Sequence, residues 1–419
     1  METGQREATS RASSIFEKNV GRFYLFAFLF NFQPWIPIWV LYLIEERGLT
    51  LAQVAAMEAV FQGVIVLAEM PTGAIADRWG RKTSMLLGGI GAPLGIIFFG
   101  LADSFGMLLL SYTVWAFSFT LFSGADSAFI YDSLASVKKE GDFSRVMGRG
   151  RALAMGAAMV GALIGAPMAA AMGLTAPIFV GAAMSVMATV VVLTFREPPR
   201  HEEHVELKYF QIIREALRYA RSHAQVRTMM ALHAVLAIAA LSGFIMIQPY
   251  LSAHDVPTAQ FGIFVVAAHG AAALGALCAH RLAGRLGEGA TFGLVTGALG
   301  GGFLVLAGVD SLVVFPAFAL IYFANSAFVP LSNGYVSRHS PQHLRATLVS
   351  VSSMGASLAV VVSQPAIGYT ADATSLQGGF ALVGAVVLVL GSLAMMAWLS
   401  AFKEGGEESL ALAAPAPAE

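Results

Sequence analysis

Residues 152–195 read ALAMGAAMVGALIGAPMAAAMGLTAPIFVGAAMSVMATVVVLTF, without one charged side chain. About 20 mostly apolar residues in a helix cross the hydrocarbon core of a bilayer. This stretch holds two such helices, with a turn near residues 173–177. A water-soluble domain interrupts its apolar runs with polar residues far more often, because each of its helices keeps one face wet.

The rest of the chain has the same character. Of 419 residues, 57% are hydrophobic and 12% charged, and the mean hydropathy is +0.70. Soluble domains carry about a quarter charged residues, and a core of this size could not hide so much apolar surface. A cytosolic enzyme, a secreted domain and a nucleic-acid binder are excluded together. The net charge of −1 gives no bulk attraction to polyanions. The single cysteine, Cys278, cannot close an internal disulfide and reads as a small apolar residue. Residues 1–20 are polar and mixed in charge, with no cleavable signal peptide visible.

With charged residues as fence posts, the apolar windows are 23–44, 54–76, 83–102, 104–137, two within 152–195, and 228–254, 256–280, 289–309, 311–337, 346–371 and 373–402. The expected fold is therefore all-α, with twelve transmembrane helices. Every Lys and Arg except Arg47 then falls on the same side as the N-terminus. Basic loops stay cytoplasmic, so both termini are expected inside. The expected organisation is an N-terminal segment over 1–22, a six-helix bundle over 23–195, a cytoplasmic linker over 196–227, a second six-helix bundle over 228–402 and a disordered tail over 403–419. In the linker, Pro198 and Pro199 break the helix. Leu207, Phe210, Ile213, Leu217 and Ala220 then recur at helical spacing among basic residues, which predicts an amphipathic helix lying on the inner leaflet.

A shift of 207 residues superposes Ala52, Gln53, Gly63, Ala76, Arg78 and Gly80 on Ala259, Gln260, Gly270, Ala283, Arg285 and Gly287. The chain is thus a pseudo-symmetric pair of six-helix halves, an arrangement of transporters whose site lies between repeats. Glu58, Glu69 and Asp77 map onto Val265, Ala276 and Gly284, so these acids stand only in the first half.

Between the second and third spans stands Gly73-Ala-Ile-Ala-Asp77-Arg78-Trp-Gly80-Arg81-Lys82. This resembles the signature loop of the major facilitator superfamily at every defining position. The physics of the loop is readable by itself: Gly73 permits close helix approach, Gly80 a tight turn, and Asp77 can accept from arginines or a helix N-terminus. The resemblance implies that Gly73, Asp77, Arg78, Gly80, Arg81 and Lys82 act as a conformational gate. The fifth span, with Gly156, Gly161, Gly165 and Pro167, resembles the glycine-rich motif of drug/proton antiporters. Ala166 separates Gly165 from Pro167 and residues 169–171 are alanine, so the alternative is small residues that let helices five and eight pack closely.

Ionisable groups inside spans cost about 3 kcal/mol each on insertion scales and so require a reason. No Lys or Arg lies deep in any span, which leaves Asp126, Glu58 and Glu69 as candidates for proton coupling. Glu69 belongs either to the loop network or to a cavity, and Asp132 lies within reach of Arg78, Arg81 or Arg149. Two prolines, Pro34 and Pro37, break the first span beside Asn31, Gln33 and Trp35. Gln248 and Tyr250 lie in the seventh span and Asn325 in the tenth. The resemblance implies that spans one, four, seven and ten line a central cavity, making these residues candidate substrate contacts; for Trp35 a packing role stands beside it. His233 and His269 read as helix-packing histidines. No cluster has metal-ligand spacing and no phosphate loop is present, so no metal, cofactor or ATP drive is expected.

The function expected from these features is secondary active transport, not enzyme catalysis. A small amphipathic molecule or drug would be exported from a plasma-membrane monomer by alternating access, with protons as the coupling ion. The alternatives are uptake of a neutral nutrient on the same fold, or a non-transporting receptor or scaffold.

Overall fold

The protein is described by a computed structural model over residues 18–198 and 206–413, which are helical and contain no strand. The first span is α1 (residues 18–31) and α2 (Trp39–Leu41), the latter continued by a π turn over Tyr42–Glu46. Then follow α3 (Leu51–Trp79), α4 (Arg81–Leu101), α5 (Phe105–Phe122), α6 (Ala125–Ala135), α7 (Phe143–Met172) and α8 (Thr175–Leu193). The linker carries α9 (Glu206–Ser222). The second half holds α10 (Ala224–Ala253), α11 (Phe261–Leu286), α12 (Glu288–Gly308), α13 (Pro316–Arg338), α14 (Arg345–Ala373) and α15 (Leu376–Ala413). Eleven stretches are long and apolar enough to cross a membrane, α5 and α6 counting as one. The broken first span completes the twelve.

The break in the first span follows from its prolines. Pro34 and Pro37 have no N–H to give, so the helix ends at residue 31 and resumes at Trp39. The Asn31 amide donates to the Ala27 carbonyl at 2.8 Å and the Gln33 amide to that of Phe30 at 3.2 Å, occupying acceptors at the end of α1. The fourth span is also cut, at Ser123 and Gly124. Gly124 takes φ 74°, a left-handed conformation that ends α5 and lets α6 start afresh.

The chain packs as two compact units. The first holds the described residues up to Leu49, those from Val60 to the end of the sixth span, and Leu251–Val266; the second holds Thr50–Ala59, α9 through Tyr250, and Ala267 onward. α3, α10 and α11 each change unit along their length. In the first unit Phe129 stacks on Phe195 with centroids 4.7 Å apart, within a core that includes Phe23, Phe26 and Phe122. In the second, Phe292 meets Trp398 edge-on at 5.3 Å. Large apolar side chains stand open on the surface, with Leu67 78%, Leu277 76% and Val362 78% exposed, as lipid contact requires.

The glycines of the fifth span have two partners. A side chain at Gly165 would collide with the Pro34 carbonyl, so this stripe receives the kink of the first span. A side chain at Gly262 would collide with the Ala162 carbonyl, which is the expected close packing of helices five and eight.

One expectation is corrected, that of the tail. The linker helix α9 buries Ala216 and Ala220, while Leu217 is 39% exposed. It packs on α14 and the turn Gln342–Leu344, the Tyr219 hydroxyl donating to the His339 carbonyl at 2.8 Å and Glu215 meeting His343 at 3.0 Å. The side chains of Leu207 and Phe210 lie outside the described residues. The tail is helical as far as Ala413, because Ala, Leu and Glu favour helix and Pro415 is the first residue that cannot continue it. Residues 1–17 of the N-terminal segment and 414–419 of the tail also lie outside the described residues.

Candidate functional site

The loop at Gly73–Lys82 is built into the first unit by contacts of every kind. Gly80 takes φ 110° between α3 and α4, the tight turn its spacing predicts. The Arg81 guanidinium pairs with Asp77 one turn back and lies 4.0 Å from Asp132 on α6. The Lys82 ammonium donates to the Leu193 carbonyl at 2.9 Å, at the end of α8. Gly73, by contrast, has open space where a side chain would point, so close helix approach is not its role.

Sequence reading missed the centre of this network. Glu197 accepts from the backbone N–H groups of Arg81 and Lys82, each at 2.8 Å, with its two carboxylate oxygens. Gly80 offers no capping side chain, and α4 begins with two cations at the positive end of its dipole. An external acid is therefore needed, and Glu197 supplies it. The signal was present: a helix start without its own acceptor, and an acid immediately before the linker prolines. Asn19, fully buried, completes the tie by bonding the N–H and carbonyl of Arg196 and the hydroxyl of Ser133.

The three candidate coupling acids have three different surroundings. Glu58 is 6% exposed and lies in Thr50–Ala59, the stretch of α3 that packs with the second unit. Asp126 is half-buried on the first turn of α6, directly after the helix break, and accepts from the Ser127 N–H at 2.6 Å. The charge of Arg151 at the start of the fifth span reaches it. Glu69 is exposed, and its carboxylate has no hydrogen bond or ion pair among the described residues. Glu69, Gly73 and Asp77 recur at a spacing of four residues and so share one face of α3.

The candidate cavity residues divide as well. In the first unit, Asn31 and Gln33 are spent on the carbonyls of α1. Trp35 is 5% exposed and sits against Trp115 and Phe99, at centroid distances of 5.1 and 6.3 Å. It lines a small cavity inside the unit with Ile96, Phe99, Tyr112 and Trp115. In the second unit, Gln248 is 1% exposed, and the Tyr250 hydroxyl donates to the Ser311 carbonyl at 2.6 Å. Asn325 is half-buried on α13. The structure thus places Trp35 and Tyr250 against aromatic rings of their own units. His233 bonds the Ser352 hydroxyl at 3.0 Å, a helix-to-helix contact. Among the described residues no three His, Cys, Asp or Glu side chains are grouped to hold a metal ion.

Comparison with known proteins meets this geometry. The family profile described as Major Facilitator Superfamily matches residues 23–352. An uncharacterized MFS-type transporter, YxaM of Bacillus subtilis (strain 168), is 36% identical over 89 residues. That match spans 21% of this chain and 22% of YxaM. A mutant of the nucleoside transporter NupG superposes with TM-score 0.77 at 15% identity, covering 90% of this chain and 99% of that one. A bacterial homolog of the human lysosomal transporter Spinster, inward-facing and unoccupied, gives 0.71 at 17% identity over 92% and 98%. A POT family transporter gives 0.70 at 13% identity over 92% and 96%.

Proposed function

Since this chain belongs to the major facilitator superfamily, a family of membrane transporters and not of enzymes, we propose that it is a proton-coupled secondary transporter. Its cargo is a small amphipathic molecule, exported from the cell across the plasma membrane as protons enter. The two halves alternate access to a site between them, and the protein works as a monomer. The Gly73–Lys82 loop gates the motion.

One observation carries the coupling: the exposed, unengaged carboxylate of Glu69 on an apolar span. Held against hydrocarbon, such a group would cost about 3 kcal/mol. A place on a wetted surface removes that cost. Gly73, on the same face of α3 between Asp77 and Glu69, leaves the space beside it open. A carboxylate that meets water in one state and a drier surrounding in another takes up and releases a proton with the cycle. Asp126 and Glu58 are the further candidates. The absence of Lys and Arg deep in the spans disfavours an anionic cargo, and the antiporter-like fifth span supports export.

The test uses purified protein in liposomes, an imposed pH gradient and ethidium as an amphipathic aromatic probe. Glu69→Gln should abolish gradient-driven accumulation while leaving energy-independent exchange of the probe intact. Retained drive in Glu69→Gln moves the coupling to Asp126 or Glu58. Retained drive in Glu69→Gln, Asp126→Asn and Glu58→Gln alike overturns proton coupling.

A further inference from the structure

The start of α3 is capped from two sources. Thr50 and Gln53 form a reciprocal capping box: the Thr50 hydroxyl accepts from the Gln53 N–H at 3.3 Å, and the Gln53 side chain from the Thr50 N–H at 3.0 Å. The Val54 N–H reaches the Thr50 carbonyl at 3.1 Å. Only the N–H groups of Leu51 and Ala52 are then left over. Both go to Asp372, near the end of α14, at 3.0 and 2.7 Å, one to each carboxylate oxygen. More than 300 residues separate donor and acceptor in sequence.

Backbone packing reinforces the same point. A side chain built at Gly368, one turn before Asp372, would sit 2.7 Å from the Ala52 Cα and 2.9 Å from the Ala55 Cβ. Gly368 therefore lets the two helices touch, and Asp372 fastens them. This is why Thr50–Ala59 belongs to the second unit while the remainder of the same helix belongs to the first. α3 is about 43 Å long at 1.5 Å per residue, so the fastening and the Asp77 loop stand on opposite membrane faces.

The repeat mate of this helix start is held differently. Thr50 is replaced by Pro257, which has no side-chain acceptor, and the Gln260 N–H bonds the Pro257 carbonyl at 2.8 Å. Gly262 there lies against the Ala162 backbone. Among the described residues no carboxylate bonds the first N–H groups of that helix start, as Asp372 does at α3.

We propose that Asp372 is a positioning residue of the transport cycle: its carboxylate, forked onto the first two N–H groups of α3, keeps the membrane face remote from Asp77 closed, and breaking this cap is the step that opens that face. The proposal rests on the alternating-access reading above. An exposed charged cap suits the task. It is strong enough to bias an equilibrium and is replaceable by water when α3 departs.

The test reads accessibility instead of transport. In a Cys278→Ser background of the full chain, Ala55→Cys places a thiol at the crossing, where Ala55 is 2% exposed. The protein is reconstituted in lipid nanodiscs and labelled with a membrane-impermeant maleimide. Asp372→Ala should raise the labelling rate at residue 55 several-fold, and Asp372→Asn, which keeps one acceptor oxygen, should raise it less. Gly368→Leu, a wedge at the same crossing, should also raise it. An unchanged thermal midpoint in Asp372→Asn shows that the response is not unfolding. Equal labelling rates in the parent, Asp372→Asn and Asp372→Ala overturn the proposal. If labelling responds and no gradient drives transport in the liposomes, the cap stands and the coupling reading falls.

Discussion

The starts of the third and ninth spans are mates in the repeat, Gly80 falling on Gly287 and Arg81 on Glu288. Both glycines have positive φ, 110° and 79°, and a helix begins immediately after each. From there the polarity reverses. In the first unit a cation, Arg81, reaches an acid at the end of span four, Asp132; in the second an acid, Glu288, pairs with a cation at the end of span ten, Arg338. Acids suit the positive end of a helix and cations do not. α12 therefore starts without outside help, whereas α4 recruits Glu197 from beyond the sixth span. The same helix pair, with its charges exchanged, is a local clasp in one unit and a tie across three spans in the other. What distinguishes the Gly73–Lys82 loop from its mate is this recruited carboxylate as much as the motif itself.

The comparison breaks first at Glu197. Glu197→Ala leaves two N–H groups at a half-buried helix start without acceptors, and should cost about 2 kcal/mol in reversible unfolding. Glu288→Ala should cost no more than about 0.5 kcal/mol, because its partner is an exposed pair. Equal losses in the two variants would mean that the two ends are held alike. Next, Gly80→Ala and Gly287→Ala should each lower stability by about 1–2 kcal/mol, since both force a side chain into a positive-φ backbone. Here the units should agree, and thermal midpoints in detergent would show it.

A charge swap sharpens the contrast at smaller cost. Glu288→Arg and Arg338→Glu should each lose about 0.5–1 kcal/mol, and the double reversal should recover most of it. Arg81→Glu with Asp132→Arg should not recover, because Glu197 would then face a second carboxylate; a double-mutant cycle on each pair separates the cases. The smallest effect is expected at α9. Tyr219→Phe removes its bond to His339 and should cost about 0.5 kcal/mol, read as faster proteolysis of the linker. Burial raises the Tyr219 hydroxyl above the ordinary tyrosine value, so folding favours its neutral form. The contribution is whole below pH roughly 10 and is lost as the pH rises through the raised value, so the wild-type linker should loosen at high pH and Tyr219→Phe should not.

Much of this fold is legible without coordinates because a bilayer imposes strong rules on composition. Fence-post charges mark the spans, and the loop at Gly73–Lys82 names its own turn. The helix caps are another matter. Glu197 and Asp372 act on N–H groups far away in sequence, and a backbone donor leaves no trace in residue spacing. Rotation about the helix axis is equally hidden: a span that is apolar all round does not say which face is inward. Spacing leaves a cavity role and a packing role open for Trp35, and only the structure seats it beside Trp115 and Tyr250 beside Phe318. The face shared by Glu69 and Gly73 is likewise seen only in the structure. On the linker helix the alanines are the buried side and Leu217 the exposed one, an assignment that spacing alone does not make.

The two interrupted spans of the first unit have a mechanical meaning. An unbroken helix behaves as a stiff rod and transmits torque from end to end. The first and fourth spans are cut at residues 32–38 and 123–124, while their mates α10 and α13 run whole from Ala224 to Ala253 and from Pro316 to Arg338. The first and fourth spans are thus jointed where their repeat mates are continuous. In the jointed unit a twist applied at α6, where Arg81 meets Asp132, can be absorbed at Gly124 without bending α5. In the mates α10 and α13 the helix continues through Pro249 and Pro330 without such a break.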